Sequence, residues 1–172
     1  MLNKIISGGQ TGVDQAALRA ARKAELKTGG WLPKGCITTE GKCTFLLKEF
    51  DMLEHQSAGY PPRTEANVRD SDATLRLATN FKSSGEKCTL QAIKWYAKPY
   101  LDVDMKNPIA VEQVVQWLIA NKVKTLNVAG NSEPTSPWIG EAVENYLYRV
   151  FNQLRDAGTM QWLIQPISLT TN

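Results

Sequence analysis

The sequence predicts an α/β fold: a doubly wound, mostly parallel sheet with helices on both faces. Three observations predict it. Strand-like and helix-like segments alternate along the chain, the pattern of a parallel sheet joined by right-handed crossovers. The length of 172 residues suits one domain with room for a sheet covered on both sides. A glycine-rich turn, Ser7-Gly8-Gly9-Gln10-Thr11-Gly12, separates the first strand from the first helix.

Lys4 to Ser7 forms the first strand. From Val13 to Ala24, the residues Val13, Ala16, Ala17, Ala20, Ala21 and Ala24 recur at helical spacing, a narrow small-residue face that packs closely on a sheet. A second strand follows near Thr28 to Leu32. Residues 33–60 are the least regular stretch, with Gly35, Gly41, Gly59, Cys36, Cys43 and His55. Within it, Phe45-Leu46-Leu47 and Phe50 to Leu53 predict a short strand or turn. The rest is a loop, and loops of such length are often functional. Pro61-Pro62 opens a helix over Arg63 to Val68. Ala73 to Ala78 is a strand, Cys88 to Ala97 a helix that ends before Lys98-Pro99, and Tyr100 to Val103 a strand. Pro108 opens a helix to about Asn121 that buries Val111, Val114, Val115, Leu118 and Ile119. Thr125 to Ala129 is a strand. Pro137 opens a last helix through Val143, Tyr146, Leu147, Val150, Phe151 and Leu154. Gly158 is expected to stop it, and Trp162 to Ile167 to add an edge strand. With no internal repeat and no linker, residues 1–172 are expected to make a single ligand-binding domain.

Apolar residues make up 42% and charged residues 22%, both ordinary for a globular protein. A net charge of +3 gives no reason to expect nucleic acid as a partner, and suits a small anionic ligand. No apolar run approaches the ~18 residues of a membrane span. The N-terminus passes straight into a strand without a signal-peptide pattern. The three cysteines lack CxxC spacing and are expected to be reduced thiols in a cytoplasmic protein. With one histidine and no paired ligand spacing, no structural metal is expected.

In such sheets ligands bind beyond the carboxyl ends of the strands, where the strand order reverses. Gly8, Gly9 and Gly12 let a ligand approach the main chain, and the helix that follows offers free N–H groups to an anion. Gln10 and Thr11 add side-chain donors. Neither a Walker motif nor a strict GxGxxG is present, and a tight turn without a ligand remains open. Asp14 serves equally as a ligand contact or as a first-turn carboxylate that stabilises the helix. Trp31 is placed to stack on a flat heterocycle or to pack in the core. Lys34, between Pro33 and Gly35, is an anion contact or a solvated lysine. Arg63 suits a bidentate phosphate clamp, with Asn67 and Asp70 near it at helical spacing; a charged surface helix is the alternative. Ser84 and Gly85 after the third strand, and Gly130 and Asn131 after the fifth, end strands in small or polar loops on the same edge.

Taken together, these segments resemble the putative molybdenum carrier family. Ser7-Gly8-Gly9-Gln10-Thr11-Gly12-Val13-Asp14 with Ala16-Ala17-Leu18, Gly29-Gly30-Trp31 with Pro33-Lys34-Gly35, and Arg63-Thr64-Glu65 with Asn67 to Asp72 carry the likeness. Lys98-Pro99 with Val103-Asp104, and Val128-Ala129-Gly130, extend it. That family sits in a wider Rossmann-like group with the molybdenum cofactor carrier proteins and, more distantly, the LOG nucleotide phosphoribohydrolases. The resemblance implies a Rossmann-like fold and a homo-oligomer (dimer or tetramer). It also implies binding of molybdenum cofactor or a related phosphorylated pterin or nucleotide, with a molybdoenzyme as recipient. The glycine turn would take the phosphate and the neighbouring loops the pterin. Two positions depart from the pattern. Ser84-Gly85-Glu86 stands where relatives tend to carry Gly-Gly-Thr, so a carboxylate would repel a phosphate unless it points away. Asn131-Ser132 stands where relatives often carry a Pro-Arg pair.

Three function classes follow: a carrier of a phosphorylated heterocycle, a nucleotide-processing enzyme, or a nucleotide-sensing module. The enzyme would draw on Asp14, Asp70, Asp72 and Glu86 as carboxylates, but the chain lacks the Pro-Gly-Gly-x-Gly-Thr turn of the phosphoribohydrolases. The glycine turn, Lys34 and the lack of a convincing nucleophile–base pair favour the carrier. On this reading, Gly9→Val blocks the ligand while sparing the fold, and Lys34→Ala weakens an anionic ligand.

Overall fold

A computed structural model describes residues 1–164, with residues 158–164 as backbone alone. Five parallel strands form the central sheet: β1 (Lys4–Ile6), β2 (Lys27–Gly29), β7 (Ala73–Ala78), β8 (Tyr100–Asp104) and β9 (Thr125–Gly130). Their order across the sheet is β2-β1-β9-β7-β8. The last strand in sequence therefore lies in the middle, Ile5 beside Leu126 on one edge of β9 and Leu75 beside Val128 on the other. This is the doubly wound, mostly parallel α/β architecture expected, Rossmann-like in form.

Helices α1 (Val13–Lys23), α5 (Val111–Ala120) and α6 (Ile139–Ile164) cover one face. The small residues of α1 sit in one continuous core with Leu75 and Leu77 of β7, Val128 of β9, and Val143, Leu147 and Val150 of α6. Alanines on α1 let α6 approach closely, which is why so short a face is so well buried. On the other face lie α3 (Tyr60–Arg69) and α4 (Ser84–Trp95), which share only a small apolar cluster of Val68, Ala92 and Ile93.

The expected strand over Thr28 to Leu32 is broken in two. The chain turns at Gly30, and β3 (Trp31–Leu32) leaves the main sheet to pair in parallel with β6 (Leu53–Glu54). Residues 33–60 are more ordered than the expected loop. They hold a small antiparallel pair, β4 (Ile37–Thr38) with β5 (Gly41–Lys42), and a short helix α2 (Phe45–Glu49). Leu32, Cys36, Cys43, Leu46, Phe50 and Met52 bury themselves against Leu18 of α1 as a second core. The stretch lacks a clear period because its buried residues, among them Leu32, Cys36, Cys43, Leu46, Phe50 and Met52, fall at uneven intervals. Cys36, Cys43 and Cys88 are all free thiols.

Further details differ from expectation: α5 begins at Val111 and not at Pro108, and Ile119, expected on its buried face, is exposed at the edge of that stripe. Ser83 caps α4 by accepting from the Glu86 amide, so that helix starts four residues before Cys88. Gly158 does not end α6, whose buried stripe from Ile139 to Leu154 carries the backbone on to Ile164. The expected edge strand from Trp162 thus begins inside a helix, and its remainder, 165–167, lies outside the described residues. No helix among the described residues is long and apolar enough to cross a membrane.

Candidate functional site

A cleft of about 430 Å³ opens at the carboxyl ends of β1, β9 and β7 and extends down the sheet face between α3 and α4. Its floor is β9, through Asn127, Ala129 and Gly130; its walls are the Gly8–Gln10 turn, α3 through Arg63, Thr64 and Asn67, and the first turn of α4. The location follows from the topology. The chain winds one way from β1 to β2 and the other way from β7 to β8, and the crossover loops part between them.

Arg63 dominates the cleft. Its guanidinium lies against Gly8, where an added Cβ would fall 1.3 Å from a guanidinium nitrogen. Gly8 is thus required by close approach, the approach of a side chain of this protein. Arg63 donates to the Asp14 carboxylate at 3.4 Å and stacks on Tyr60 at 5.6 Å. Its side chain is only 12% exposed, and its Nε is buried with no acceptor among the described residues. One strong cationic donor set is therefore held in place and only partly used.

The glycine turn is built differently from the expected phosphate cradle. The Gln10 amide donates to Asp14, the Thr11 amide to the Gln10 side-chain oxygen, and the Val13 amide to the Asn131 carbonyl. These three amides are spent, with the Asp14 carboxylate bonded into the turn, whereas the Gly8, Gly9 and Gly12 amides have no acceptor among the described residues. Burial pushes the Asp14 carboxyl up, against the pull of Arg63. Unpaired amides are found also at the start of α4, where Ser84 and Gly85 line the cleft and donate to nothing among the described residues.

Nine predicted residues line the cleft together: Gly8, Gln10, Asp14, Arg63, Asn67, Ser84, Gly85, Gly130 and Asn131. Several of them are occupied with one another. Gln10 holds the loop at Thr39, accepting from its amide at 2.9 Å, and donates to Tyr60. Asn67 spends its amide on the Trp31 backbone, and Asn131 ties Thr79 and Asn80 to its own loop.

Six others stand outside the cleft lining. Gly9, at φ +70°, faces the second core, where a Cβ would meet Leu32 at 2.4 Å. It is a buried structural glycine, not a surface contact. Gly12 packs on the backbone of Asn131 to Glu133, and the Thr11 hydroxyl pairs with Thr39 at 2.6 Å. Trp31 is held by its indole N–H on Asp70 at 2.7 Å and edge-on to His55, so it offers no face to the cleft. Asp70, in turn, is bonded by Arg69, whose guanidinium holds its carboxyl below the usual range despite some burial. Lys34 is exposed, with its amide bonded to the Ser57 carbonyl.

Glu86 points away from the mouth. Its carboxylate is buried 3.5 Å from Arg76, inside a group in which Arg76 also grips Asp102 with two nitrogens. Burial raises the Glu86 carboxyl to about 7, with Arg76 opposing the shift and Asp14 and Asp102 adding to it. Asp72 lies at the opposite edge of the sheet, accepting the amides of Lys124 and Thr125 where β9 begins.

Asn127, Tyr60, Thr39, Cys88, Thr89 and Thr135 also line the cleft, and none of them is singled out by the sequence patterns above. For Asn127 a signal exists. A central parallel strand is buried on both sides and is normally apolar throughout, and Leu126-Asn127-Val128 breaks that rule, as Thr74 and Arg76 do in β7.

A family model described as the circularly permutated YpsA SLOG family matches residues 5–151. Among solved structures, a protein of Syntrophus aciditrophicus SB described as a putative molybdenum carrier protein is similar at a TM-score of 0.78 and 35% identity. The match covers 87% of this chain and 94% of that one. No curated protein matches the chain.

Proposed function

This chain belongs to the circularly permutated YpsA SLOG family, and from that premise we propose that it binds and carries a small phosphorylated heterocycle, molybdenum cofactor first among the candidates. One observation carries the reading: a cleft at the reversal of strand order is lined both by Arg63 and by two unpaired amides at the start of α4. An anion there meets a fixed charge and a helix N-terminus together.

The description of the Syntrophus neighbour as a putative molybdenum carrier protein supports the choice of ligand. The cleft volume lies in the range of small-molecule sites, large enough for a bicyclic ring and its phosphate. Carriage, as opposed to turnover, is favoured by Asp14. The carboxylate that borders the cleft is tied down by the Gln10 amide and Arg63. A carrier passes its ligand on, so the proposal extends to a molybdoenzyme as recipient and to a homo-oligomer as the working form.

Native mass spectrometry of protein from its own host tests this. The expected spectrum shows a dimer or tetramer with a phosphorylated pterin bound, and equilibrium binding shows saturable uptake that phosphate competes away. Protein that takes up no added cofactor overturns the proposal.

A further inference from the structure

Cys36 and Cys43 face each other across the base of the β4–β5 hairpin. Ile37 pairs with Lys42 and Thr38 with Gly41, so one step outward the register sets Cys36 opposite Cys43. The ladder does continue there, since the Cys43 amide donates to the Cys36 carbonyl at 2.9 Å. Residues bonded in this way stand about 5.5 Å apart between Cα atoms, a span that a disulfide bridges. Both thiols are free and buried, at 1% and 6% exposure, in the same small core. The Cys43 sulfur lies 3.2 Å from the Thr38 hydroxyl, on the inner side of the hairpin. Cys36 sits at φ +54°, directly after Gly35 at φ +84°. Such a backbone favours glycine, so the thiol is held there against strain, and strain of this kind marks a side chain that is used. Cys88 stands apart on α4, in the lining of the cleft.

We propose that Cys36 and Cys43 are a peroxide-oxidised thiol pair whose disulfide fastens the hairpin at the edge of the cleft. The Cys43 thiolate attacks one oxygen of hydrogen peroxide, the O–O bond breaks and hydroxide leaves, which makes a sulfenic acid. The Cys36 sulfur then attacks the Cys43 sulfur, the S–S bond forms, and the sulfenic oxygen departs as water. Two thiols lose two electrons and two protons, and one peroxide becomes two waters. Cys43 reacts first because it is the less buried of the two, and burial and Glu54 push the Cys36 thiol up. Peroxide is small, and the exposed Ile37, Gly41 and Lys42 leave it a short path. The bond reaches the cleft through Thr39 at the hairpin tip. The Gln10 side-chain oxygen accepts from the Thr39 amide and hydroxyl, while its nitrogen donates to Tyr60. All three residues line the cleft, so a bridge at the base of the hairpin holds one cleft wall closer to its resting place. This inference needs no ligand and stands apart from the carrier reading.

Peroxide treatment of the whole chain, an alkylating quench and peptide mapping by mass spectrometry test the pair. The expected main product is a Cys36–Cys43 link within one molecule, reversed by dithiothreitol. A link through Cys88, or Cys36 and Cys43 still free once Cys88 is oxidised, overturns the proposal. Cys36→Ser should leave a dimedone-reactive sulfenic acid on Cys43 that the unaltered chain does not accumulate. Its absence from folded variant overturns the order of the step. Brief trypsin digestion reads the hairpin. Cleavage after Lys42 is expected several-fold slower in the oxidised chain than in the reduced one, with sites outside residues 33–60 cut at equal rates. Equal rates after Lys42 overturn the fastening of the hairpin. The map and the digest use the unaltered chain, so they decide the matter even if the variant fails to fold.

Discussion

The two faces of the sheet do different work. Under α1, α5 and α6 the strands present Leu75, Leu77, Leu126 and Val128, all buried in one dry core. Under α3 and α4 the same strands present Thr74, Arg76 and Asn127, and the apolar cluster there has three buried members. Alternate residues of β7 and β9 thus serve opposite ends. One face supplies the burial that holds the fold, and the other gives up burial to keep a polar cleft open. Arg76 shows how the second face is kept stable. Its fork to Asp102, its contact with Glu86 and its stack between Phe81 and Tyr100 satisfy a charge that would otherwise be costly.

Breaking the apolar face should have the largest effect. Leu77→Ala is expected to cost about 3–5 kcal/mol in urea denaturation, since a fully buried leucine leaves a cavity on a rigid strand. Ligand affinity of the remaining folded protein should not change. A cost below about 1 kcal/mol would show that this face is not the one that holds the fold.

Gly9→Val comes next, at about 2–3 kcal/mol by the same measurement, from a positive φ closed to valine and a clash with Leu32. The sequence alone predicts a spared fold and a blocked ligand. A variant of native stability that no longer binds would restore that expectation.

Glu86→Gln probes the polar face through pH. The folded chain holds the Glu86 proton up to about pH 7, where the unfolded chain releases it near 4.5. Its contribution to stability is fully present below the lower value and is lost as pH rises through the upper one. Between pH 5 and pH 8 the wild type should lose on the order of 2 kcal/mol that the glutamine variant keeps, the free-energy equivalent of the tighter hold on the proton. Parallel pH–stability curves for the two proteins would refute this.

The smallest effect is expected from Lys34→Ala. Lys34 is exposed and off the cleft, so affinity for an anionic ligand should stay within about twofold, the scatter of a surface charge in salt. A tenfold loss would bring Lys34 back into the site.

The sequence reveals most where a period runs long enough to be unambiguous. The alanines of α1 and the run from Ala73 to Ala78 lie where the pattern puts them, and with them come the sheet class and the edge at which to look. The unit over residues 33–60 is hidden because its elements are two to five residues long, too short for a period to repeat. In the site, Gly8, Ser84 and Asn131 are legible by position, since each follows a strand and the strand-end rule needs no contacts, whereas Arg63 stands in a helix before a strand and is marked only by its residue type and the family resemblance. Their roles are not, because sequence does not show that an arginine fifty-five residues away lies on Gly8, or that Asp14 has claimed the amide of Gln10. Asn127 lies inside a central strand and carries no such positional mark, only the signal of a polar residue between Leu126 and Val128.

The central position of β9 bears on how the protein is made. Its partners β1 and β7 have no direct hydrogen bonds to each other, so until residues 125–130 leave the ribosome the sheet consists of two separate pairs, β1 with β2 and β7 with β8. Joining them closes a loop of more than a hundred residues between β1 and β9, a slow and entropically costly step. The same late strand brings the cleft floor, so a truncated chain would expose two unmatched sheet edges and have no binding site between them.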